Sequence, residues 1–121
     1  PEAGAKVFQK CQTCHTMTDP DGKVVAGKGA KTGPNLYGMP GRVAGTYEGF
    51  KYGESMAALG ATGFKWNEAD FVNYVADPSK FLEDKLSEKS ARGKMMFKLA
   101  DAKAAADVWA YISSLSPAPA P

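Results

Sequence analysis

Apolar residues recur at helical spacing in separate stretches of this chain, with long polar, glycine-rich segments between them. Val7, Phe8 and Cys11 share one helix face, and Cys14 and His15 carry it about a turn further, so residues 2–15 are predicted helical. Phe8 is a core position; Gly4 either lets another helix pack closely or is a weak helix position. A short helical piece is predicted around Glu54–Leu59. Asn67 is the predicted N-cap of a helix over about 68–76, with Phe71, Val72, Tyr74 and Val75 as its apolar positions. Asp77-Pro78 ends that helix, and Pro78 opens another to about Glu83. Asp101 is predicted to cap a last helix to about Ser114, burying Ala105, Val108, Trp109, Ile112 and Leu115.

The intervening segments carry turn chemistry instead of periodicity. Residues 16–49 are predicted as loop, with turns at Asp19-Pro20-Asp21-Gly22 and Thr32–Gly38 and a short extended piece at Val24-Val25. Residues 85–100 are a second, charged loop containing Lys94-Met95-Met96-Phe97. The expectation is an all-α fold of about four to five helices, one domain over residues 1–115 and a flexible Pro/Ala-rich tail over 116–121. A loop as long as 16–49 is unusual in a small domain unless it wraps something.

Composition narrows the function classes. The 121 residues are 44% hydrophobic and 23% charged, with a formal net charge of +2. Overall charge gives no support to a nucleic-acid partner, so any electrostatic argument rests on where the lysines lie. No apolar run is long enough to suggest membrane insertion, and a monomer is expected.

Both cysteines and the single histidine fall within Cys11-Gln12-Thr13-Cys14-His15. This C-x-x-C-H spacing is the attachment signature of a c-type haem: two thioethers through the cysteine sulfurs, and an axial histidine next in sequence. Three rivals share the motif. A redox dithiol wants a βαβ context, which the pattern lacks. A structural zinc site wants four protein ligands, and no further Cys or His exists. A simple disulfide leaves the histidine incidental.

A haem held by His15 has one more axial position, open to methionine, lysine, tyrosine or water. Among the five methionines, Met17 is tied to the His15 side, while Met39 and Met56 lie in or near loops and could reach. The adjacent Met95 and Met96 lie far along the chain and could come round to the other haem face. His/Met ligation characterises cytochromes c and raises their potential.

The chain resembles the class I c-type cytochromes of the bacterial cytochrome c2 type, including similar carriers of denitrifying bacteria. The resemblance rests on Cys11–His15, Lys31-Thr-Gly-Pro34-Asn-Leu-Tyr-Gly38, Gly41-Arg42, Gly49-Phe50-Lys51-Tyr52, Trp66, Tyr74-Val-Ala-Asp-Pro78, Lys94-Met95-Met96-Phe97-Lys98 and the final helix through Tyr111. It implies a small cytochrome c fold, one covalent haem c and Met95 as the second ligand. It also implies that the Pro34 carbonyl accepts from the His15 ring, that Tyr52 and Trp66 donate to a haem propionate with Arg42 close by, and that Tyr74 lies near the Met95 sulfur. Two departures stand out: Met96 where relatives often carry Thr or Ile, and Gly93 where many carry a threonine that reaches a propionate.

The function so implied is one-electron transfer, not catalysis. The donor would be a quinol-oxidising cytochrome bc complex; the acceptor would be a photosynthetic reaction centre, a terminal oxidase or a denitrification enzyme. Lys10, Lys31, Lys94 and Lys98 are expected to form a positive docking face, with Asp19, Asp21, Glu83, Glu88 and Asp107 mostly elsewhere. Thioether attachment is normally made outside the bacterial cytoplasm, so a periplasmic location after removal of an export signal is expected. The alternative is a haem peroxidase or gas-binding sensor with a labile methionine ligand.

Overall fold

The computed structural model describes residues 2–117. Five α-helices and one two-stranded ribbon occur among them. They are α1 (Glu2–Phe8), β1 (Met17–Thr18), β2 (Val24–Ala26), α2 (Glu54–Ala61), α3 (Glu68–Ala76), α4 (Pro78–Leu86) and α5 (Ala102–Leu115).

The helix starts follow local chemistry. The Asn67 side chain accepts from the Asp70 backbone N–H and opens α3. Asp77 ends α3 and caps α4 by accepting from the Lys80 N–H, with Pro78 at the first helical turn. Asp101 accepts from the N–H groups of Lys103 and Ala104 and starts α5. Past Leu86 the chain leaves α4 through Ser87 in the left-handed region.

The predicted helix over 2–15 is shorter than expected. Beyond Phe8 the bonds tighten: Lys10 N–H donates to the Val7 carbonyl and Cys11 N–H to that of Phe8. His15 N–H then returns to the Cys11 carbonyl at 2.9 Å, so the motif forms its own separate turn. The expected extended piece is one strand of an antiparallel ribbon pairing Met17 with Ala26. Its turn is closed by the Asp19 carboxylate, which accepts from the N–H groups of Asp21 and Lys23.

Helices α1 and α5 cross at Gly4, where a Cβ would lie 2.6 Å from that of Tyr111. Phe8 and Tyr111 meet beside the crossing with ring centroids 5.5 Å apart. The core beneath is Leu82, Val108, Ile112 and Ala105, all essentially inaccessible. Trp109 and Leu115, expected within the buried stripe of α5, are only half-buried at its edge. Ser116, expected in the flexible tail, is tied down: its hydroxyl accepts from Gly38 N–H and donates to the Ile112 carbonyl. Residues 118–121 of that tail lie outside the described residues.

Candidate haem site

A cavity of about 320 Å³, with mostly apolar walls, opens between the Cys11–His15 turn, the 32–56 region, α3, α5 and the Met95 loop. Cys11, Cys14, His15 and Met95 all line it, although 80 residues separate His15 from Met95 in sequence. Bonds returning to the Cys11 carbonyl from the N–H groups of both Cys14 and His15 bring the three motif residues to one side of a single turn.

The electrostatics of that turn separate the rival chemistries. Burial pushes the Cys11 thiol up to about 11, the neighbouring Cys14 adds to this, and Lys10 opposes it. Reactive C-x-x-C dithiols work by the opposite shift, toward an accessible thiolate. This environment suits an uncharged sulfur, as a thioether is. Among the described residues no three side chains drawn from His, Cys, Asp and Glu are arranged to hold a metal ion, and Cys11, Cys14 and His15 have no fourth such partner in a zinc set.

His15 is held as a neutral imidazole. Burial lowers its affinity for a second proton, against a smaller opposing effect from Pro34. Its Nδ1 lies 2.8 Å from the Pro34 carbonyl oxygen. A carbonyl only accepts, so Nδ1 carries the proton and Nε2 keeps its lone pair. Such a contact fixes the ring and strengthens the free nitrogen as a donor.

Gly33 makes room for this ring and was not singled out in the sequence. A Cβ there would fall 2.6 Å from His15 Nδ1 and 2.7 Å from Nε2. Gly33 N–H donates to the Cys14 carbonyl at 2.7 Å, binding the loop to the motif. Asn35, also overlooked, accepts from the N–H groups of Thr18 and Tyr37 and donates to the Thr18 carbonyl and the Tyr47 hydroxyl. Both lie in the Thr32–Gly38 turn and in the 31–38 stretch that carries the resemblance, neither of which gives them a role of their own.

Arg42, Tyr52, Trp66 and Tyr74 line the same cavity. Arg42 donates to the Tyr37 carbonyl at 2.7 Å, and its guanidinium sits 5.0 Å from the centre of the Tyr47 ring. Burial lowers its proton affinity, with Tyr52 and Tyr47 opposing; the group stays a cation. Among the described residues it forms no ion pair with a carboxylate of the chain. A half-buried cation facing a cavity fits a cofactor that brings its own carboxylate. The Tyr52 hydroxyl accepts from Tyr47 N–H at 3.1 Å. Trp66 is buried against Tyr74 and Phe81, at centroid distances of 5.0 and 5.9 Å.

Burial, and less strongly Tyr52, push the Tyr74 phenol up to about 12. The folded chain therefore holds this proton to higher pH than the unfolded chain. The resulting stability is whole below pH 10, the ordinary value, and is lost as pH rises through about 12. Tyr74→Phe should flatten this alkaline fall by up to roughly 3 kcal/mol, read from denaturant midpoints across that range.

The structure separates the two adjacent methionines. Met95 is partly buried and packs on the core, whereas Met96 is 86% exposed. Met96, Met39 and Met56 also line the cavity, and Met17 is fully buried in the core. The space near Gly93 is closed to a threonine, because a Cβ there would lie 2.9 Å from that of Pro78.

The four lysines are not alike. Lys10 and Lys94 line the cavity and are exposed; Lys31 is exposed beside Thr32. Lys94 donates to the Lys51 carbonyl at 2.7 Å and lies over the Phe50 ring. Lys98 is exposed but lies 3.5 Å from the Asp77 carboxylate. Of the acidic residues expected elsewhere, Glu83 pairs with Arg92 and Asp107 with Lys103.

Comparison with known proteins decides what this arrangement is. The chain is 58% identical over 118 residues to cytochrome c2 of Fuscovulum blasticum, covering 98% of this chain and 75% of that one. It is 52% identical over 120 residues to cytochrome c2 of Cereibacter sphaeroides, covering 98% and 97%. This chain belongs to the cytochrome c2 family. The crystal structure of cytochrome c2 from Rhodobacter sphaeroides superposes with a TM-score of 0.95 at 52% identity, covering 98% of both chains. That of cytochrome c2 from Paracoccus denitrificans gives 0.88 at 43%, covering 94% and 93%. No protein-family model matches the chain. The fold is the small all-α cytochrome c fold, and the cofactor of a cytochrome c2 is haem c, attached here through Cys11 and Cys14. Cytochromes c2 are electron carriers, and no described helix is long and apolar enough to cross a membrane.

Proposed function

We propose that this cytochrome c2 is a periplasmic one-electron carrier whose iron is held by His15 and Met95, with residues 1–115 acting as one domain. The observation that carries the reading is the convergence of Cys11, Cys14, His15 and Met95 on one apolar cavity. Bound there, the haem supplies an iron couple cycling between ferrous and ferric states.

The chain's own residues set the conditions for that couple. Pro34 holds the His15 proton on Nδ1, leaving Nε2 for the metal. A methionine sulfur as second ligand favours the ferrous state and raises the potential. Arg42, Tyr52 and Trp66 line the cavity and would meet the haem propionates there; Arg42 would bring positive charge, and the other two O–H and N–H donors. Tyr74 and the apolar wall exclude water, which disfavours the extra charge of the ferric form. With His15 and Met95 both holding the iron, a substrate would have no position to enter, which would set a carrier apart from a peroxidase.

Docking is assigned to Lys10, Lys31, Lys94 and Lys98, toward an acidic face on a cytochrome bc complex as donor and on a reaction centre or oxidase as acceptor. Reversing the charge at Lys10, Lys31 and Lys94 should weaken the salt dependence of electron transfer and slow the reaction at low ionic strength. Reversal at Lys98 should act less, because Asp77 already offsets that charge. Stopped-flow rates against ionic strength test this; an unchanged salt dependence would place the docking face elsewhere.

A further inference from the structure

The loop that carries Met95 has no regular structure between α4 and α5, yet its backbone is held at defined points. Arg92 N–H donates to the Ser55 hydroxyl at 3.0 Å, and Gly93 N–H donates to the Ser79 hydroxyl at 2.9 Å. Ser55 stands in the first turn of α2 and Ser79 in the first turn of α4. Two consecutive amides are therefore gripped by two hydroxyls from different helices. Downstream, Leu99 N–H donates to the Val75 carbonyl of α3 at 2.6 Å.

These bonds bracket residues 94–98. Within the bracket Lys94, Met96, Phe97 and Lys98 are exposed and Met95 alone is partly buried. The five residues form no backbone–backbone hydrogen bond among those found outside the helices and strands. Within the bracket only side chains tie the segment down, Lys94 to the Lys51 carbonyl and Lys98 to Asp77, so the backbone around Met95 is held by hydrogen bonds at the ends of the bracket. The absence of a side chain at Gly93 belongs to the same device, since the close approach to Pro78 seats this backbone against the start of α4.

We propose that Ser55 and Ser79 are positioning residues for the Met95 ligand, clamping the loop so that its sulfur stays on the metal. The proposal rests on Met95 being the axial ligand. Removing either hydroxyl leaves one loop amide without its acceptor and lets the segment lift more often, with no change in the ligand set. The clamp is polar and lies outside the cavity wall, so it acts on the opening of the loop and not on the cofactor's surroundings.

The test uses the intact ferric holoprotein and imidazole as an incoming ligand, with entry followed by the loss of the weak red-end charge-transfer absorption of methionine-ligated ferric iron. Ser55→Ala and Ser79→Ala should each speed entry at saturating imidazole by roughly fivefold, and the double variant by more than either. Ser79→Thr keeps the hydroxyl and should restore the wild-type rate. Asp19→Ala removes two turn hydrogen bonds from the distant ribbon and serves as a general destabilisation control; it should leave entry unchanged. If the wild type shows the absorption but the serine variants admit imidazole at the wild-type rate, or no faster than Asp19→Ala, the clamp is overturned. If the wild type lacks the absorption, methionine ligation falls, and the clamp with it.

Discussion

Met95→Ala is expected to abolish the red-end absorption of the ferric protein and to lower the midpoint potential by on the order of tenths of a volt. That falls within the roughly 0.8 V range that axial ligands command in haem proteins. Met96→Ala should leave both unchanged, because its side chain, although at the cavity rim, is 86% exposed. Met56→Ala is the informative comparator, since Met56 shares the cavity wall. It should alter packing without removing the absorption. Loss of the signature in the Met96 or Met56 variant, with Met95→Ala retaining it, would reassign the ligand. Adjacent methionines are hard to tell apart in sequence because they share every local feature. The direction of an irregular loop decides between them, and that direction is set by contacts from α2, α3 and α4.

The second large effect is expected at Gly33. A methyl group there overlaps the His15 ring, falling 2.6 Å from Nδ1 and 2.7 Å from Nε2. Gly33→Ala must either turn the ring away from the Pro34 carbonyl or push back the loop that the Gly33 N–H fastens to Cys14. Overpacking of this kind costs about 1–3 kcal/mol, read as a lower denaturant midpoint. The potential should shift as well, because the imidazole loses either its orientation or the hydrogen bond that strengthens it as a donor. Wild-type stability together with a wild-type potential would show that the loop gives way freely and that Gly33 is only a turn residue.

What the sequence made legible was local chemistry. Asn67, Asp77-Pro78 and Asp101 mark helix starts because a capping side chain bonds to amides two or three residues ahead, so pattern and cause lie in one window. C-x-x-C-H is legible for the same reason: one turn brings its three residues together. Helix α1 stops at Phe8 although its apolar periodicity runs on, because the motif beyond it is a tighter turn facing the cavity. Gly33, Asn35, Ser55 and Ser79 escaped notice because each acts on a partner 12 to 37 positions away in sequence. A glycine read as a turn former can equally be a space left for a ring, and only the fold tells which. Similarly, the pairing of Lys98 with Asp77 appears only once the Met95 loop is laid against the junction of α3 and α4.

We propose that His15 and Met95 together close the metal to outside ligands, so that the protein carries electrons and does not bind a substrate. It is tested most directly by visible spectra of the purified protein in both oxidation states, with carbon monoxide added to the ferrous form. A Soret band in both states, the red-end absorption in the ferric state and a ferrous spectrum that carbon monoxide leaves unchanged on mixing are the predicted results. Rapid carbon monoxide binding to the native ferrous protein would contradict the claim and favour a peroxidase or gas sensor.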